Sequence, residues 1–216
     1  MLIEYAFYDI SYSDEEIKNL FKQVKDYQPN MVTVFPYNVK LAKNIFEDTT
    51  KIACVIDYPF GMSDSKNRIG QIEQAKKFGA DCVNVVAQPF VLCNRKYDKF
   101  REDIRSIVES ATQLNLEVRY VLEYRVFTYY LLYKISQILK TEGINIIYPA
   151  TGYGLDDIND NLVASALINK KIAINIICNG NIWNQTQVLS LNKANLFGLQ
   201  VNSLNGLRLL HENQLK

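Results

Sequence analysis

A closed barrel of eight parallel strands, each followed by a helix, is the α/β architecture that this 216-residue chain predicts, as one domain over residues 1–216. Three observations carry the expectation. Short β-rich apolar runs recur at regular intervals, the segments between them place apolar residues at helical spacing, and the runs are nearly continuous rather than alternating, as strands covered on both faces are.

In order, the runs are Leu2 to Tyr8, Met31 to Phe35, Lys51 to Tyr58, Asp81 to Val86, Glu117 to Glu123, Ile144 to Tyr148, Ala173 to Cys178 and Leu196 to Val201. After the first, Ser13 with Glu16 three residues on makes a capping box. Ile17, Leu20, Phe21 and Val24 then form one apolar stripe. After the fourth, Phe100, Ile104, Ile107, Val108 and Ala111 do the same. The rival architecture, an open doubly wound sheet, calls for a glycine-rich turn after the first strand, and Asp9-Ile10-Ser11-Tyr12-Ser13 has no glycine.

Composition narrows the function classes. With 48% hydrophobic and 22% charged residues the chain can build one large core, and a net charge of +1 with interspersed signs argues against a nucleic-acid partner. No apolar run approaches the roughly 18 residues of a membrane span, and the opening Met1-Leu2-Ile3-Glu4 lacks a basic leader, so a cytoplasmic protein is expected. Cys54, Cys82, Cys93 and Cys178 form no CxxC pair and read as reduced thiols, three of them inside apolar runs. One histidine, His211, and scattered cysteines give no metal-ligand spacing, so neither a metal nor a cofactor is expected. Asp156-Asp157-Ile158-Asn159-Asp160 lacks the glycine and distal glutamate of a calcium loop and reads as an acidic helix start.

In a barrel, chemistry gathers at the carboxyl ends of the strands. Taken in order, those ends carry a resemblance. Ile3-Glu4-Tyr5-Ala6-Phe7 followed by Ser13-Asp14-Glu15-Glu16-Ile17, then Val34-Phe35-Pro36, Ile56-Asp57-Tyr58-Pro59-Phe60-Gly61, and Ala75 with Gly79-Ala80-Asp81 are the first stations. Tyr120-Val121-Leu122-Glu123 and Ala150-Thr151-Gly152 complete the series. Their order and spacing resemble the deoxyribose-phosphate aldolase family across essentially the whole chain, which implies a TIM barrel of the class I aldolase type.

The resemblance also marks departures. It implies a Schiff-base lysine at the position of Tyr148, a second lysine that lowers the first one's proton affinity at Ile177, and a proton-relaying aspartate at Asn84. An iminium requires a primary amine, which neither a phenol nor a sec-butyl group supplies, and asparagine does not take up a proton at useful pH. The three losses together imply that the family's aldol mechanism has gone. For phosphate, the resemblance points to the turn Gly180-Asn181 and to Gln200-Val201-Asn202-Ser203, where Gly180, Ser203 and Gly206 remain as anion-binding candidates with fewer glycines than the family uses. Thr151 and Gly152 join Gly180, Asn181, Gln200 and Ser203 as the candidate ligand-binding set.

Several residues carry two readings. Tyr148 is either a general acid in a different reaction or, the favoured reading, an aromatic plug with its hydroxyl bonded to a neighbour. Glu123 and Glu4 are either a carboxylate pair or ion-pair partners, for which Arg119 or Arg125 would serve. Tyr124, Tyr129, Tyr130 and Tyr133 read as helix packing, with an oligomer interface, a homodimer for instance, as the alternative. Cys178 as a nucleophile is disfavoured because His211 has no evident reason to reach it.

Two functions follow. One is a non-catalytic barrel binding a small phosphorylated or sugar-like metabolite or a partner. The other is an active lyase or isomerase acting on a small carbonyl or sugar-phosphate compound with Tyr148, Asn84 and Glu123 as its polar groups. A mouth packed with Tyr148 and Ile177 favours the first; polar groups converging on the mouth favour the second.

Overall fold

A computed structural model describes residues 1–153, 157–194 and 196–214. Eight strands form one closed parallel barrel: β1 (Leu2–Ala6), β2 (Met31–Val34), β3 (Lys51–Ile56), β4 (Cys82–Val86), β5 (Glu117–Val121), β6 (Ile146–Tyr148), β7 (Asn175–Asn179) and β8 (Gly198–Val201). Neighbours in sequence pair throughout, and β1 closes on β8 with Leu2 opposite Gly198. The α-helices among the described residues are α1 (Asp14–Asp26), α2 (Val39–Phe46), α3 (Ser65–Lys77), α4 (Pro89–Cys93), α5 (Tyr97–Gln113), α6 (Tyr129–Thr141), α7 (Ile158–Asn169), α8 (Gln185–Asn192) and α9 (Leu204–Gln214).

The period-2 alternation of side chains divides the buried residues into an outer and an inner set. Outward residues such as Ile3 and Tyr5 of β1, with Phe7 just beyond it, pack with the stripe of α1, where Ile17, Phe21 and Val24 are buried, in one core that rings the barrel. Inward residues stack in layers. Met31, Ala53 and Cys82 form a small apolar floor, and Val86, Val121, Tyr148 and Ile177 form an apolar layer nearer the carboxyl end. Between them lie Glu4, Thr33, Asn84, Arg119 and Gln200, all buried.

The helices start where their caps dictate. The Ser13–Glu16 box closes the start of α1, and Asp64 and Thr128 cap α3 and α6. Asp157 caps α7, which accounts for the acidic run around it; Asp156 of that run lies outside the described residues. Arg68 of α3 is buried and donates to Asp103 of α5 and to the Val86 carbonyl, with Asp57 at 3.6 Å, so one guanidinium fastens two helices to the ends of β3 and β4. Gly61, at φ +63°, lies where a Cβ would come within 2.3 Å of the Ala87 carbonyl oxygen, so the loop after β3 sits directly on the end of β4.

Candidate functional site

The polar residues inside the barrel meet across its axis because every second residue of each strand points inward. Arg119 of β5 donates through Nη1 to Glu4 Oε1 at 2.6 Å and to the Tyr148 hydroxyl at 3.0 Å. The Tyr148 hydroxyl in turn donates to Glu4 Oε2 at 2.7 Å. Arg119 Nε binds Glu117 Oε1 at 2.7 Å, and Gln200 Nε2 reaches Glu4 Oε2 at 3.4 Å and Thr33 Oγ1 at 3.1 Å. Asn84 donates to the same Thr33 hydroxyl at 3.1 Å.

Burial pushes the Glu4 carboxyl up, and Arg119 and the Tyr148 hydroxyl oppose that push without cancelling it. Burial likewise raises Tyr148 well above the usual phenol range, so its oxygen stays protonated. Of the two readings of these glutamates, the geometry is that of ion-pair partners: Glu4 belongs to Arg119, and Glu123 belongs to Arg125, which grips it at 2.5 and 2.8 Å. Glu123 also accepts from the Thr151 hydroxyl at 2.7 Å. Burial would raise its carboxyl, but the bonds from Arg125 and Thr151 outweigh burial and hold it below the usual range.

Above this interior, at the carboxyl end, two cavities adjoin. The larger, about 430 Å³, is lined by Tyr8, Asp9, Phe35, Tyr58, Tyr153 and Asn202, together with Ile10, Pro59 and Gly152. Tyr8 and Tyr58 stack at 4.7 Å between ring centroids, and Phe35 meets Tyr58 edge-on at 5.4 Å, so three rings build one wall. The smaller, about 250 Å³, shares Pro59 and Tyr153 with the first and adds Phe60, Glu123, Arg125, Val126 and Thr151. Among the described residues no lysine lines either cavity.

The structure disperses the residues singled out from sequence. Asn84, Tyr148 and Ile177 are buried in the barrel, and Tyr148 and Ile177 pack with Val86 and Val121 beneath the mouth. Of the ligand-binding set, Gly152 lines the larger cavity and Thr151 the smaller. Gln200 is turned inward to Glu4 and Thr33. Gly180 lies where a Cβ would come within 2.9 Å of the Ile158 Cα, so the turn is used for close packing on α7, and Asn181 bridges Asp157. The Ser203 hydroxyl accepts from the Gly206 amide at 3.1 Å.

Cys178 contacts the Ile158 carbonyl at 3.9 Å while His211 stacks edge-on against Tyr27, so the two do not meet. Packing does not account for all the tyrosines after β5. Tyr129 and Tyr130 are 63% and 75% exposed at the start of α6, whose buried face begins at Leu132. The sequence reading missed the cleft's aromatic wall, although Tyr8, Phe35 and Tyr58 each stand just beyond a strand end, where barrel sites are built. Among the described residues no cluster of histidine, cysteine or carboxylates has metal-binding geometry, and no helix is long and apolar enough to cross a membrane.

No family model matches the chain. A curated deoxyribose-phosphate aldolase of Clostridium tetani is 30% identical over 142 residues, which is 65% of this chain and 65% of that one; the chain thus spans less than two thirds of this relative's length. Among solved structures, a putative deoxyribose-phosphate aldolase from Coccidioides immitis superposes with a TM-score of 0.85 at 18% identity, covering 99% of this chain and 85% of that one. The deoxyribose phosphate aldolase of Aeropyrum pernix, described as tetrameric, gives 0.81 at 18% identity, over 99% and 90%. The chain is therefore similar to the deoxyribose-phosphate aldolases twice over, in sequence across 65% of its length and in fold across 99% of it.

Proposed function

We propose that this barrel has given up Schiff-base aldol chemistry and serves as a cytoplasmic, non-catalytic homologue of the aldolases, binding a small molecule or partner at its carboxyl-end cleft. The observation that carries the reading is the fate of the Tyr148 hydroxyl. At the position where the resemblance implies the reactive amine, a phenol is bound to Glu4 and Arg119 beneath an apolar layer that includes Ile177. A group so placed neither attacks a carbonyl nor meets a substrate in the cleft.

The alternative, an active lyase or isomerase, needs Asn84, Tyr148 and Glu123 to converge. Asn84 and Tyr148 instead bond into the buried interior, to Thr33 and Glu4, while Glu123 is held by Arg125 at the rim, so the three do not converge on one cavity. A phosphorylated ligand also finds little support. Asn184 and Gln187 close the start of α8 with a capping box, and Ser203 takes up the Gly206 amide, so amides that would face an anion are already bonded. Any homodimer contact is assigned to the exposed Tyr129–Tyr130 corner, and size-exclusion chromatography of a Tyr129→Ser, Tyr130→Ser variant checks it.

The deciding experiment offers the protein deoxyribose 5-phosphate or acetaldehyde with borohydride. We expect no cleavage above background and no trapped adduct. A specific adduct mapped by mass spectrometry to a lysine would overturn the reading.

A further inference from the structure

We infer that the aromatic cleft is a site for an organic cation bearing N–H donors, an alkylammonium or guanidinium group, rather than for an anion. The inference rests on the binding role proposed above and names the ligand class for that same cleft.

Charge gives the first argument. Among the described residues, the only ionisable group of fixed charge lining the larger cavity is Asp9. Its Oδ1 accepts from the Ser11 amide at 2.8 Å and the Ser11 hydroxyl at 2.6 Å, and these bonds hold its carboxyl below the usual range, so it is an anion at any ordinary pH. Oδ2 has no protein donor among the described residues. In the adjoining cavity the single cation among the described residues, Arg125, is matched by Glu123. The described lining of the two cavities thus holds two carboxylates against one guanidinium.

The second argument is an unmet acceptor. Asn202 lines the cleft, and its Oδ1 is buried with no hydrogen-bond partner among the described residues. A buried acceptor without a donor is short of a hydrogen bond, and a turn of the Asn202 amide toward the cleft lets a ligand N–H supply it. The third argument is the wall. Tyr8, Phe35, Tyr58 and Tyr153 present electron-rich rings, and burial keeps the Tyr8 phenol protonated, so the wall attracts a cation without itself becoming an anion. Carboxylate, carbonyl oxygen and aromatic faces in one cavity of about 430 Å³ match a cationic nitrogen on a small carbon frame.

Isothermal titration of the intact protein tests this with n-butylammonium, tetramethylammonium, n-butanol and inorganic phosphate. We expect butylammonium to bind best, tetramethylammonium less well for want of N–H donors, butanol about 2- to 30-fold more weakly than butylammonium, and phosphate not at all. Asp9→Asn should weaken both cations. Asn202→Leu should weaken butylammonium more than tetramethylammonium, and each variant's melting temperature shows that it has folded. Equal affinity for butanol and butylammonium, saturable phosphate binding, insensitivity to Asp9→Asn in a folded variant, or no cation binding to tens of millimolar would each overturn the inference. Nα-acetyl-lysine methylamide separates two sources of the same chemistry: tighter binding than butylammonium points to a lysine of a polypeptide, and weaker binding to a free amine. A trapped borohydride adduct would sink the non-catalytic reading alone and leave this measurement standing.

Discussion

Tyr148 separates two polar regions of opposite character. Below its ring, Glu4, Arg119, Gln200, Thr33 and Asn84 bond to one another across the barrel, and both carboxylate oxygens of Glu4 are occupied. Above it, Asp9 keeps one oxygen open and Asn202 Oδ1 has no partner among the described residues. The lower region spends its polar groups on holding the barrel together, while the upper region leaves them available. A network satisfied from within is structural, and one that needs a visitor to complete it is a binding site.

The largest expected effect lies below. Glu4→Ala leaves the Arg119 guanidinium buried without its main counter-charge, and breaking such a pair from one side costs about 3–5 kcal/mol. Asp9→Ala, by contrast, removes an exposed carboxylate and should change stability by no more than about 0.5 kcal/mol. Urea denaturation of the two variants measures the contrast directly. If they lose stability equally, the division at Tyr148 is wrong.

Tyr148→Phe is the next test. Removing the hydroxyl leaves a Glu4 oxygen under-satisfied at a cost of about 1–3 kcal/mol, yet cation binding in the cleft should be unchanged because the hydroxyl faces the interior. A folded Tyr148→Phe protein that loses ligand affinity would instead make Tyr148 part of the site.

The barrel itself was legible from local pattern. The eight strand runs and the Ser13–Glu16 cap are statements about neighbouring residues, and each appears in the structure within a few residues of its expected limits. The interior was not, because Glu4 and Arg119 lie 115 residues apart and Glu4 and Tyr148 lie 144 apart, and no local period encodes which inward residues face each other across an axis. Arg119 and Arg125 were both available to either glutamate; the alternation of β5 sends Arg119 inward, while Arg125 follows the strand in a single 3-10 turn, Tyr124–Val126, beside Glu123. The exposure of Tyr129 and Tyr130 was missed for a related reason, since they begin a helix whose first turn projects past the core.

The smallest expected effect contrasts Glu4 with Glu123 by pH. Burial lifts the Glu4 carboxyl above its unfolded value, so the native state takes up that proton first. The resulting stability is fully present below the unfolded pKa and is lost as pH rises through the folded one. Glu123 runs the other way. Its bonds from Arg125 and Thr151 outweigh its burial and lower its folded pKa, so its contribution is present above the unfolded value of about 4.3 and is lost as pH falls through the folded value. Stability measured in urea from neutral pH into acid should therefore respond oppositely to the two neutralising substitutions. Relative to the parent protein, Glu123→Gln removes a loss on acidification and flattens the acid limb, whereas Glu4→Gln removes a gain and steepens it. Protection of the Thr151 amide against hydrogen exchange, relative to the intrinsic rate at each pH, gives a local check, since that amide donates to Glu123 at 3.3 Å: protection should fall in acid in the parent protein and in Glu4→Gln, and be already low at neutral pH in Glu123→Gln. Acid limbs that shift in the same direction for both substitutions would mean that Arg119 holds Glu4 ionised more firmly than burial resists it, and that the two carboxylates, one inside the barrel and one at its rim, answer to pH alike.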